Sequence, residues 1–179
     1  MVRNLAGPTE TAVIVPVPAA DAVVGPYRQE LDHSAAWGVP AHVTVLYPFL
    51  PPARITSAVL GDLKAAVAEH DAFECVFSRV AWFGEDVLWL APDPAEPFRA
   101  LTHRVWRAFP ECPPYGGEHP DVVPHLTIGS TRRADVAALR KAAAEVEGAL
   151  PIRAGVDRVR LIAGNARPDS WRTVAEFVL

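Results

Sequence analysis

The chain has 179 residues, half of them hydrophobic and 21% charged, as expected for a single soluble globular domain with a substantial core. A formal net charge of −4 argues against a protein that coats duplexes or long RNA. Lys64 and Lys141 are the only lysines among 17 basic residues, and the arginines that make up the rest suit a small local anion site.

Cys75 and Cys112 form neither a disulfide framework nor a metal-ligand spacing, and they read as free thiols in a reducing compartment. No secretion signal or membrane-spanning run is visible, so a cytoplasmic location is expected.

In chain order, residues 1 to 10 are polar and contain Gly and Pro, as in a loose lead-in. Thr11 to Pro18 is β-branched and apolar, a buried strand. Ala19 to Leu31 reads as a helix that Gly25-Pro26 interrupts or restarts, and Asp32 to Pro40 as a loop. His42 to Tyr47 is a strand stopped by Pro48 and by Pro51-Pro52. Ile55, Val59, Leu63 and Val67 recur every four residues, the stripe of an amphipathic helix.

Phe73 to Ala81 and Val87 to Ala91 flank Gly84-Glu85-Asp86 as a hairpin. Asp93-Pro94-Ala95-Glu96 resembles a helix start with Asp as cap, and Phe98, Leu101, Val105 and Phe109 continue that helix. Pro110 to Pro124 is a long Pro- and Gly-containing loop around Tyr115-Gly116-Gly117, a length more often functional than idle. Ser130 or Thr131 then caps a helix carrying Val136, Leu139, Ala143 and Val146, which Gly148 ends. Ile152 to Ala163 and Trp171 to Leu179 close the chain as two strands.

Two near copies organise this order: Pro40-Ala41-His42-Val43-Thr44-Val45 and Val123-Pro124-His125-Leu126-Thr127-Ile128. Residues i and i+2 of a strand share a face, so each His projects beside its Thr. The two histidines stand 83 residues apart, about half the chain, and the succession of motif strand, helix and two strands occurs twice. That spacing predicts an internal duplication: an α+β fold of two pseudo-two-fold lobes, antiparallel sheets lining a central cleft and helices outside. No linker separates the halves, so residues 1–179 read as one domain.

Imidazole is the side chain titrating nearest neutrality, and two facing imidazoles can serve as base and acid at once. Opening a cyclic phosphate, or cleaving a phosphodiester, needs such a pair. Two threonine hydroxyls can donate to the non-bridging oxygens where charge grows. Gly129 shares the face of His125 and Thr127 and would leave room for a ligand. The scheme requires no metal and no cofactor, and no zinc, Walker, dinucleotide or Gly-x-Ser-x-Gly motif is present.

The pair PAHVTVLYPF and PHLTIG resembles the 2H phosphoesterases, which include bacterial 2′-5′ RNA ligase-like proteins and cyclic nucleotide phosphodiesterases. The likeness extends to the VIVPVP strand, the VLWL hairpin strand, the PxxPFRALTHRVWRAF helix and the terminal strand. It implies His42 and His125 as the catalytic acid-base pair and Thr44 and Thr127 as phosphate ligands. By the same likeness His42 is a candidate for protonating the leaving 3′-oxygen and His125 for activating water, an order the sequence does not fix. The implied substrate is a small nucleotide or RNA terminus carrying a 2′,3′-cyclic phosphate, with 2′-5′ ligation as the reverse reaction and a monomer as the working unit. One departure is that Gly129-Ser130-Thr131 separates the second motif from Arg132-Arg133, where some members place a basic residue directly, and this favours a small substrate.

Tyr115 and Arg132 complete the candidate substrate-binding set; Trp82 and Phe83 are further candidates for stacking on a base. The arginines oppose the dipole of the helix they start, a hint of phosphate nearby. His119 lies in the long loop as a further candidate for substrate contact, His33, His70 and His103 have no partner pattern, and Trp89 and Trp106 read as core. The alternative is a non-catalytic module that uses the same cleft to bind or sense a nucleotide.

Overall fold

The computed structural model describes residues 7–179, so most of the lead-in predicted for residues 1 to 10 lies outside the described residues. The elements are β1 (Glu10–Pro16), α1 (Asp21–Leu31), α2 (His33–Ala36), β2 (His42–Leu46), α3 (Ser57–Ala68), β3 (Phe73–Phe83) and β4 (Val87–Asp93), then α4 (Glu96–Ala108), β5 (Leu126–Ser130), α5 (Val136–Glu147), β6 (Ile152–Val156), β7 (Arg158–Gly164) and β8 (Arg172–Val178). The strands form two antiparallel four-stranded sheets, ordered β2-β1-β7-β8 and β5-β4-β3-β6.

The duplication is visible in topology and in register. The succession β1-α1-β2-α3-β3 is matched by β4-α4-β5-α5-β6, and β2 and β5 each occupy the edge of a sheet. In the first half Ile14 pairs with Thr44 and Val13 with Leu46, with a register irregularity between Val13 and Ile14. In the second, Trp89 pairs with Thr127 and Leu88 with Gly129, with the irregularity between Leu88 and Trp89. A bulge re-aims the strand locally, and here it recurs beside each motif threonine.

The halves exchange their helices: α1 packs against β5 and α4 against β2. Each helix buries its apolar stripe on the other half's motif strand. Leu31, Leu101, Val105 and Leu126 accordingly belong to one core with Val43, Leu46 and Leu139.

Several local expectations change. The predicted strand from Ile152 to Ala163 is two strands in different sheets, parted at Asp157. Its buried positions are 152, 154 and 156 before the break and 159, 161, 162 and 163 after it, so the alternation changes phase between 156 and 159. A strand of period two cannot change face without breaking. Asp93 ends β4, and the residue preceding α4 is Ala95, without a side-chain cap. The cap of α5 is Asp135, whose Oδ1 accepts the Ala138 N–H at 2.7 Å, rather than Ser130 or Thr131. The Asp32 to Pro40 stretch contains the single turn α2, capped by Asp32. Trp106, read as core, is 37% exposed. Both cysteines are buried and free, and among the described residues no helix is long and apolar enough to cross a membrane.

Candidate active site

His42 opens β2 and His125 immediately precedes β5, and these two edge strands lie against each other. The four motif side chains His42, Thr44, His125 and Thr127 are all half-buried, while Val43, Val45, Leu126 and Ile128 between them are buried. Strand alternation therefore turns the polar set toward one side, as the sequence predicts.

Each imidazole is held in the same way. The Nδ1 of His42 lies 2.7 Å from the Pro40 carbonyl and that of His125 lies 2.7 Å from the Val123 carbonyl. A carbonyl only accepts, so each Nδ1 carries the proton and, in the neutral ring, each Nε2 is left as an acceptor. No described protein group hydrogen-bonds to either Nε2.

The surroundings lower both proton affinities. Burial, followed by the nearby Arg28 charge, brings His42 from its ordinary 6.5 to about 4; the Pro40 bond and Asp32 oppose this, and His125 adds to it. Burial also lowers His125, the bond to Val123 opposes the shift, and His119 reinforces it.

Behind His42 stands a buried ion pair. Arg28 and Asp32 are 3% and 4% exposed, and the guanidinium donates to Asp32 Oδ2 from Nε at 3.2 Å and Nη2 at 3.0 Å. Asp32 also accepts the Ser34 N–H at 3.0 Å and the Ser34 hydroxyl at 2.8 Å. Two buried charges persist only when paired and hydrogen-bonded, as here.

Around His125 the neighbours are aromatic instead. Phe83 meets the ring edge-on at 4.9 Å, Trp89 lies at 5.8 Å, and Tyr115 is near-parallel to it at 6.2 Å. Phe83 in turn stacks on Trp89 at 4.7 Å. Tyr115 sits in the left-handed region at φ 52° and is followed by Gly116 at φ 66°. Its N–H donates to the Tyr47 carbonyl at 2.7 Å, which ties the long loop to the end of β2. Burial raises the Tyr115 phenol, and a hydrogen bond with the Thr44 side chain opposes that rise.

The structure thus brings together His42, Thr44, His125, Thr127 and Tyr115, with Phe83 beside them and His119 at 5.9 Å from Tyr115. It does not bring Arg132 there: this exposed residue lies in the turn beyond the far end of β5, a strand's length from His125. Gly129 makes room for protein rather than ligand. A Cβ there would meet Leu31 Cβ at 2.5 Å and Leu139 Cδ2 at 2.8 Å. Sequence reasoning missed Arg28 and Asp32, whose i, i+4 spacing was the available signal. It also placed Trp89 only in the core, although its pairing with Thr127 puts it beside His125. The Trp89 Nε1 is buried and has no hydrogen-bond partner.

A hollow of about 490 Å³ borders Arg28, Val39, Pro40 and Arg133, and another of about 390 Å³ borders Trp82, Glu85 and Arg140; neither includes a motif histidine. Among the described residues no group of three or more His, Cys, Asp or Glu side chains could hold a metal ion.

Residues 15–167 match the model of the 2′-5′ RNA ligase superfamily. Among solved structures, Escherichia coli LigT complexed with ATP is 14% identical, with 96% of this chain and 98% of that one covered at a TM-score of 0.58. LigT complexed with 3′-AMP is 15% identical, with the same coverage and a TM-score of 0.56. TT0787 of Thermus thermophilus is 16% identical, with 95% and 97% covered and a TM-score of 0.58. At these identities the likeness is one of fold. No curated protein matches the sequence significantly.

Proposed function

Since the chain belongs to the 2′-5′ RNA ligase superfamily, we propose that it is a metal-independent phosphoesterase that opens 2′,3′-cyclic phosphates on a nucleoside or an RNA end. His42 and His125 are the acid-base pair of this reading, Thr44 and Thr127 the phosphate ligands, and both halves act as one domain. The observation that carries it is the repeated imidazole anchor, in which each Nδ1–H is donated to a backbone carbonyl and each Nε2 is left without a protein partner. A ring held in that tautomer is ready to accept a proton at Nε2, or, once charged, to give one there.

In the hydrolytic direction one neutral imidazole takes a proton from water as the water oxygen bonds to phosphorus. The other, protonated, gives its proton to the ribose oxygen as the bond from that oxygen to phosphorus breaks. The threonine hydroxyls donate to the non-bridging oxygens as their charge grows. The two imidazoles exchange roles in the reverse, ligating direction. Deprotonated groups are easily reprotonated beside a phosphate anion, which offsets the burial that lowers both rings. The ATP and 3′-AMP held by LigT support a nucleotide as the kind of ligand such a cleft takes.

The test is turnover of the four nucleoside 2′,3′-cyclic phosphates with EDTA present, across pH 5 to 9. The expected result is a bell-shaped, EDTA-resistant rate that falls about 10²- to 10⁴-fold in His42→Ala and in His125→Ala. Nucleotide binding without turnover would instead identify a sensing module. Undiminished turnover in both variants would overturn the assignment of the pair.

A further inference from the structure

The repeated anchor has a second layer. The Arg28 Nη2 donates to the Val39 carbonyl at 3.2 Å, and the adjacent Pro40 carbonyl holds His42 Nδ1–H. In the other half Arg99 Nε donates to the Val122 carbonyl at 3.1 Å, and the adjacent Val123 carbonyl holds His125 Nδ1–H. Arg28 lies on α1 and Arg99 on α4, the matching helices that connect the first two strands of each half. We propose that Arg28 and Arg99 are positioning residues, one for each histidine, whose guanidinium groups fix the peptide next to the carbonyl that orients the imidazole. Their effect on turnover rests on the phosphoesterase reading above; their effect on ring orientation does not.

The lead-ins to both motifs need such a tether. Val39-Pro40 and Val122-Val123 precede the strands, so no ladder bond fixes their carbonyls. Pro40 and Pro124 have no N–H to contribute either. Val39 is 7% exposed, and Arg28 is the side chain that its carbonyl bonds, so loss of Arg28 removes the group that fixes that carbonyl's direction. Rotation of that peptide would swing the neighbouring carbonyl away from Nδ1, and the ring would be free to move its proton to Nε2. An Nε2–H ring cannot accept the proton the reaction delivers there.

The two arginines are balanced differently. Arg28 is paired with Asp32, both in the interior, and also donates to Ser34 Oγ at 3.2 Å. Arg99 faces Glu96 at 3.6 Å with both side chains substantially exposed. The charged groups that reach His42 are Arg28, Asp32 and His125, and the group that reaches His125 is His119.

The experiment reads imidazole ¹⁵N shifts, which separate the Nδ1–H from the Nε2–H tautomer, above neutral pH and without substrate. Arg99→Met should move the His125 ring toward Nε2–H and leave His42 unchanged. Arg28→Met alone strands a buried carboxylate, so the first half is tested with Arg28→Met/Asp32→Leu, which removes the pair together; it should move His42 and leave His125. The kcat for a cyclic phosphate should fall about tenfold with KM held within about twofold, as for other groups that orient a catalytic ring. Arg99→Lys, which can still donate to Val122, should recover most of the loss. A native-like amide spectrum with an unchanged His125 tautomer in Arg99→Met would overturn the proposal, as would equal disturbance of both rings in either variant. Tautomer shifts confined to the matched histidine, in a protein that turns over no cyclic phosphate, would uphold the positioning and count against the phosphoesterase reading.

Discussion

The His42 and His125 halves share their backbone and differ in nearly everything around it. Both place the imidazole on a carbonyl two residues back at 2.7 Å, and both carry a register irregularity beside the motif threonine. Yet the residue opposite Thr44 is Ile14, whereas the residue opposite Thr127 is Trp89. A buried Arg28–Asp32 pair stands by His42, and Phe83, Trp89 and Tyr115 stand by His125. Duplication has kept the geometry that orients two rings while their environments diverged. Two identical rings in identical surroundings could not divide acid from base work; unlike surroundings can push their proton affinities apart.

The strongest way to break this comparison is at the threonines, after the histidines themselves. Thr44→Val and Thr127→Val each remove one hydroxyl donor, and a loss of about 10²-fold in kcat is expected from each by steady-state kinetics. Equal losses would mean that both halves hold the phosphate alike, and a tenfold disparity that one half carries it.

Acid titration of stability asks about the imidazole environments directly. The folded His42 protonates near 4 against an ordinary 6.5. Above 6.5 neither state holds the proton and the contribution vanishes. Between 6.5 and 4 the unfolded chain takes the proton first, so stability falls as pH falls, by at most about 3 kcal/mol. Denaturant unfolding across that window should show the slope, and His42→Gln should flatten much of it. His125 contributes with the same sign.

A smaller expected effect concerns the packing beneath each motif. The position matching Gly129 is Leu46, which is fully buried. Gly129→Ala places a methyl against Leu31 and Leu139 and should cost about 1–3 kcal/mol in unfolding free energy. Smallest of all, Trp89→Phe keeps the aromatic contact with His125 and removes an N–H that has no partner. Its stability should change by less than about 1 kcal/mol.

Much of this was legible before the fold was known. Repetition of His-x-Thr at 83 residues announced the duplication, and alternation around each motif announced which side chains share a face. Local spacing also marked the stripe of α3, whose cap proved to be Thr56, and the β3–β4 hairpin. The division at Asp157 was present in the sequence too, as the adjacent charges Asp157-Arg158 and a change of alternation phase between Val156 and Val159.

Strand periodicity acts over two residues, so the repeated motif and the pairing of each imidazole with its hydroxyl could be read from neighbouring residues alone. Which helix covers which motif could not. The swap of α1 onto β5 and α4 onto β2 brings Leu31 to Gly129, while Arg28 and Arg99 reach the carbonyls before each histidine. Folding also brought Tyr115 from a long loop onto the His125 ring and left Arg132 at the other end of β5. Those contacts join residues far apart in the chain or at the ends of loops, and close packing of whole elements sets them rather than any local pattern.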